Sequence, residues 1–156
     1  MDSYTQYIRA SHAGVIDCIH EVYATLIELH YFHPDEIVYP PYGVPGKPSL
    51  AVSELKQLGF TDEVVALLGE IPYPSNELLH MFSHQEEGVP IAPDSAVVSY
   101  LAGADVEAIR TSRQPFRDGE VGIPAWAVKI TACGLGIGTN YIYDTRLSKP
   151  APVASL

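Results

Sequence analysis

Five of the chain's 13 prolines fall in one stretch, residues 34–48, "PDEIVYPPYGVPGKP". Proline fixes φ and lacks a backbone donor, so neither a helix nor a regular ladder runs through such a segment. Whatever precedes it must stop, and whatever follows must start afresh. Tyr39 and Tyr42 lie inside it, which marks a segment that wraps against a body rather than a flexible linker. Upstream, apolar residues recur at Ile8, Val15, Ile16, Ile19, Val22, Tyr23, Leu26, Ile27 and Leu29 with spacings of three and four. That periodicity predicts a long helix over residues 3–32. Gly14 is its weak point, where it bends or loses a first turn. Pro34 closes it and drives His33 out of helical geometry.

Downstream, "SLAVSELKQL" reads as a short helix ending at Gly59, with Phe60 closing a Schellman cap on Leu55. Thr61 caps a second helix, "DEVVALLGEI", whose first turn carries Asp62 and Glu63 and which runs to Pro72. Residues 72–95 hold a helical turn or two around 78–86. The character then changes. "AVVSYL" (96–101) reads as a strand and "DVEAIR" (105–110) as a helical turn. "IPAWAVKITAC" (123–133) alternates, with Trp126, Val128, Ile130 and Ala132 on one face, and "TNYIYDTR" (139–146) is a β-branched and aromatic strand. Helices first and strands later predict an α+β fold, N-terminal helices packed on a C-terminal antiparallel sheet. We read one domain over 1–156, helical over residues 1–95 and sheet-forming over residues 96–156, a length that buries a sizeable core.

Gly134, Gly136 and Gly138 raise the question of a phosphate loop. Such a loop runs from strand to helix, whose N-terminal amides hold the anion. Here a strand follows, and no Lys-Ser/Thr does, so residues 134–138 are expected to connect a hairpin. No nucleotide cofactor, nor any other, is implied. Nucleic acid is disfavoured by charge: the chain carries −10 overall, with sixteen Asp/Glu against three Lys/Arg in residues 1–109. No apolar run approaches the ~20 residues that span a bilayer, and "MDSYTQYIRASHAG" lacks the pattern of a secretory signal, so a cytoplasmic protein off the membrane is expected. Cys18 and Cys133 are then read as buried thiols.

Chemistry-bearing residues are scattered. His80 and His84, spaced i,i+4, are weak zinc-ligand candidates, lacking the glutamate and third ligand of the usual helical site. His30 and His33 lie with Asp35 where the first helix ends, and they join Asp144 as weak acid–base candidates. His12 and His20 sit on the helix itself with no carboxylate placed beside either by sequence. Arg110, Arg113 and Arg117 either gather on an anion or pair with acidic residues. Ten tyrosines make the chain aromatic, and Trp126, Tyr141, Tyr143, Asp144, Tyr39 and Tyr42 are the candidate binding residues, against ordinary core packing.

The segment "IPAWAVKITACGLGIGTNYIYDTRLSKPAPV" resembles the SMI1/KNR4-like (SUKH) superfamily. The resemblance rests on an apolar strand, a glycine-rich turn and an aromatic strand ending in Asp, with Gly138, Tyr141, Tyr143, Asp144, Pro152 and Val153 in the pattern. "QLGFTDEVVALLGEIPY" is similar to a passage of small fungal proteins. The family's Leu-Pro-x-x-Tyr passage is replaced here by the longer "IVYPPYGVPGKP". The resemblance implies helices beside a curved sheet, no shared catalytic residues, and a role in binding other proteins. The first expectation for function is therefore an acidic binding module acting through protein contacts. The alternative is a small enzyme of cyclase or isomerase type, with an apolar metabolite held between aromatic walls. The expected partner is accordingly a protein or a small apolar ligand.

Overall fold

The computed structural model describes residues 2–82, 89–92, 95–104, 106–113, 122–133, 139–147 and 149–154. Two helices open the chain, α1 (Ser3–Ser11) and α2 (Ala13–Glu28). A single 3-10 turn at Pro34–Glu36 leads into the short strand β1 (Ile37–Val38). Next come α3 (Val52–Gln57), α4 (Asp62–Leu68), β2 (Tyr73–Pro74) and α5 (Asn76–Phe82). The remainder is mostly strand: β3 (Pro90–Ala92), β4 (Ser95–Val97), then α6 (Val106–Thr111), β5 (Ala127–Lys129), β6 (Thr131–Cys133), β7 (Thr139–Asp144) and β8 (Lys149–Ala154). Helices dominate the N-terminal half and antiparallel strands the C-terminal half, so the fold is α+β as expected.

The long N-terminal helix is in fact two. Asp2 caps α1 by accepting from Thr5 N at 2.7 Å, and that bond holds its carboxyl below the usual range. The break comes at His12 (φ −118°, ψ 19°), two residues before Gly14. His12 is 1% exposed, so tertiary anchoring of its ring, not glycine, sets the bend. α2 ends six residues before Pro34. The N–H of Tyr31 reaches Leu26 O and that of His30 reaches Ile27 O, both at 2.9 Å, with His30 itself at φ +58°. This is a Schellman cap with histidine where glycine is usual. His33 is extended at ψ 145°, as Pro34 requires.

The proline segment does hold a ladder, but only in the gap between Pro34 and Pro40: Ile37 pairs Pro74 and Val38 pairs Tyr73. The chain then turns through a cis Pro40–Pro41 bond. α3 ends as expected. Gly59 takes φ +79°, and Phe60 N bonds Leu55 O at 3.2 Å. Thr61 Oγ1 caps α4 by accepting from Val64 N, and Thr61 N donates to Ala125 O, which fixes this helix against the strand half. α4 stops at Leu68, short of Pro72: Gly69 N still reaches Val65 O, but Glu70 N turns to Leu67 O, three residues back, at 2.9 Å.

The expected single sheet is divided into small ones: β1–β2, β3–β4–β6 and β5–β7–β8. The long alternating segment before the glycines bends at Ile130, so β5 pairs β7 while β6 pairs β4. Ile130 serves both sides, donating to Tyr141 O at 2.7 Å and accepting from Val98 N at 3.1 Å. Strands flank the glycine run on both sides; residues 134–138 themselves lie outside the described residues.

One large core joins the two halves. Ile8, Leu55, Val64, Leu68, Tyr73, Tyr100, Leu101, Val128 and Tyr143 meet in it, each fully buried aliphatic side chain contributing about 2 kcal/mol. The tyrosine richness is largely spent here. Tyr73 and Tyr100 stand edge to face at 6.3 Å, with Tyr42 against Tyr73 and Phe60 against Tyr100. Their hydroxyls donate to main-chain carbonyls: Tyr73 to Leu68 and Tyr100 to Lys129. A second cluster under α2 gathers Tyr23, Phe32, Ile37, Leu78 and Val89. Cys18, expected inside, is exposed on α2, because that helix turns Ile16 and Tyr23 inward instead. The Cys133 side chain lies outside the described residues.

Candidate functional site

Of the residues nominated by sequence, those near the β5–β7 edge take separate posts. Tyr143 is 1% exposed and points into the core, while Tyr141, two residues earlier on the same strand, is 42% exposed. Asp144 Oδ1 accepts from Arg146 N at 2.9 Å and from Leu147 N at 3.3 Å, closing the turn after β7. Trp126 is half-buried, with the Arg146 guanidinium 3.4 Å over its ring centroid. Its carbonyl accepts from both N and Oγ1 of Thr145.

The histidines at the end of α2 do backbone work. His30 supplies the left-handed residue of the cap. His33 Nδ1 faces Asp35 N at 3.4 Å while Glu36 accepts from His33 N at 2.7 Å, a capping box on an exposed turn. The His80 side chain and all of His84 lie outside the described residues. Among the described residues no three His, Cys, Asp or Glu side chains converge on a metal-sized site. Arg113 caps the carbonyl of Leu58 at the end of α3 and that of Ile123, lying over Phe60. Arg110 pairs with Glu107, and Arg117 lies outside the described residues.

Two loci that sequence left without partners do assemble. The first centres on His12. Its Nδ1 lies 2.9 Å from Tyr143 Oη and its Nε2 lies 3.1 Å from Glu63 Oε1. A carboxylate only accepts, so Nε2 carries a proton, and in the neutral ring Nδ1 then accepts from the phenol, which satisfies both partners at once. Strand β7, helix α4 and the α1–α2 junction are thereby tied at one point, and the imidazole is shut from solvent. The signal was present in the sequence. His12 sits four residues after Ile8 and four before Ile16, on the inward stripe. Its partners lie 51 and 131 residues away.

The second locus is a cleft of about 440 Å³ between α2, the Pro40 turn and the end of α4, lined among others by Arg9, Ile16, Asp17, His20, Pro40 and Glu70. Arg9 pairs with the Glu70 carboxylate. His20 Nε2 donates to Glu70 O at 3.3 Å, which leaves Nδ1 as an acceptor in the neutral ring. Tyr39 and Tyr42 border the Pro40 turn. The Tyr39 ring tilts against His20 at 5.5 Å, and Tyr42 Oη bonds Ile71 O at 2.6 Å. Burial raises both phenols, more strongly for Tyr42, which Glu70 also affects.

A third feature is a surface. Tyr4 and Tyr7 on α1 stack at 6.3 Å with their planes 22° apart, and both are about half exposed. Partial burial, then the charges of Glu63 and Asp62, raise the Tyr4 phenol, so the pair stands beside the acidic start of α4. Comparison with family models, curated proteins and solved structures finds no match for the chain.

Proposed function

We propose that this protein is a binding module acting through protein contacts, of the SMI1/KNR4-like kind, and that the acidic helical half is its recognition face. The observation that carries this reading is the stacked, solvent-facing Tyr4–Tyr7 pair beside Asp62 and Glu63. Tyrosine offers a broad flat contact at low entropic cost and is enriched at interface centres. Surrounding acidic charge steers a basic partner and sets its orientation. Residues 1–109, with their sixteen acidic side chains, supply that field.

The test is affinity capture from the cells in which the protein is made, with quantitative mass spectrometry, comparing the wild type with Y4A/Y7A. A basic partner retained in near-equal amount, lost by about tenfold or more in the double variant and weakened between about 0.1 M and 1 M salt, is the expected result. A retained set indifferent to both tyrosines and salt would overturn the reading, as would no stoichiometric partner.

A further inference from the structure

We propose that the cleft over α2 binds a small organic ammonium ion, a primary amine on a short apolar stem. Its volume, about 440 Å³, falls in the range of small-molecule sites. The class of ligand follows from which groups remain unspent. Arg9 and Glu70 neutralise one another in the wall, so the described residues of the cleft present no free cation to attract an anion. Asp17 lines the same space, and among the described residues it has no ion-pair partner. With Nε2 of His20 donating to Glu70 O, the other nitrogen of the neutral ring is an acceptor. The open polar groups are therefore a carboxylate and an imidazole lone pair. Both accept and neither donates.

A ligand complementary to them brings N–H donors and a positive charge. Ile16 and Pro40 line the cleft beside these groups and give an alkyl stem an apolar surface to lie on. The helical spacing explains the grouping: positions 16, 17 and 20 fall on one face of α2, three and four residues apart. A metal ion is a poorer fit, since Asp17 and His20 provide two ligands and Glu70 is already engaged. The Tyr39 ring packs against the imidazole of His20 and limits its rotation. This site does not involve Tyr4 or Tyr7, so its failure and that of the protein-contact reading are separable.

The experiment is a two-dimensional NMR titration of the full chain with n-butylammonium, with butyrate and butanol as matched controls. The expected result is saturable shifts at Asp17, His20, Glu70 and their neighbours with butylammonium alone, and about tenfold weaker binding in Asp17→Asn. Asp17 is an exposed helix residue, so that variant folds; unchanged spectra elsewhere verify it. The proposal is overturned by absent or non-saturable shifts around the cleft, by butyrate binding equally well, or by D17N binding as the wild type does.

Discussion

His12 and His20 lie eight residues apart at the start of the chain, and the molecule treats them in opposite ways. The region around His12 is closed. Both ring nitrogens are engaged by side chains from distant elements, and the ring is 1% exposed. The region around His20 is open. One nitrogen is tethered to a main-chain carbonyl, no bond from the described residues holds the other, and the residue lines a cleft. The same side chain thus serves as a polar pin where every bond is satisfied and as a recognition group where one is left over. What separates them is the kind of contact: side chains of β7 and α4 bond both nitrogens of His12, whereas at His20 the end of α4 offers one main-chain carbonyl and the proline segment only the Tyr39 ring.

That contrast can be broken experimentally, most drastically from the closed side. Burial holds the phenols of Tyr23, Tyr42, Tyr73 and Tyr100 above their ordinary value. A pKa raised in the folded state means stability that is complete below about pH 10, where unfolded tyrosine titrates, and is lost as pH rises beyond it. In an alkaline titration the phenolate absorbance of these four is expected to appear in one cooperative step together with loss of helical circular dichroism. Their ionisation near pH 10 with the fold intact would contradict the closed core.

His12→Ala comes next. It leaves a cavity and removes one bond each from Tyr143 and Glu63, so a loss of about 3 kcal/mol is expected in urea unfolding. Tyr143→Phe keeps the ring packing but orphans His12 Nδ1 in a buried site, at about 1–2 kcal/mol by the same measurement. His20→Ala should cost least, about 0.5 kcal/mol, because its single bond is long and water replaces it at a half-open site. Were His12→Ala and His20→Ala to cost the same, the distinction between pin and recognition group would fall.

Much of the local structure was legible in the residues themselves. The Gly59 cap, the Thr61 cap, the extended His33 before Pro34 and the helical turn at α6 are decided within a few residues, by φ preference, capping oxygens and missing donors. The strands on either side of the glycine run read correctly for the same reason: alternation and β-branching are local. The site was less legible. Trp126, Tyr141, Tyr143 and Asp144 stood out as a group because they are close in sequence. Yet Tyr141 and Tyr143, which alternation puts on one face of β7, end in solvent and in the core, while Trp126 goes to a cation–π stack and Asp144 to a turn. His12 and His20 were noticed but unassigned, since their partners Glu63, Glu70 and Tyr143 carry no local sign of where they will fold.

The break between α1 and α2 shows the division most clearly. Sequence alone predicted a helix over residues 3–32 with an inward apolar stripe, and it pointed to Gly14 as the weak place, since helix propensity is a property of each residue; the helical stretch holds to Glu28. Only the tertiary structure decided that the bend falls at His12. A buried imidazole must place both nitrogens on partners, and β7 and α4 offer them at one position alone. The same holds for the cleft. Its four α2 residues, Ala13, Ile16, Asp17 and His20, follow from a 3.6-residue repeat. Its opposing wall, from the Pro40 turn and Glu70, exists because β1 pairs with β2 and brings the proline turn to the end of α4.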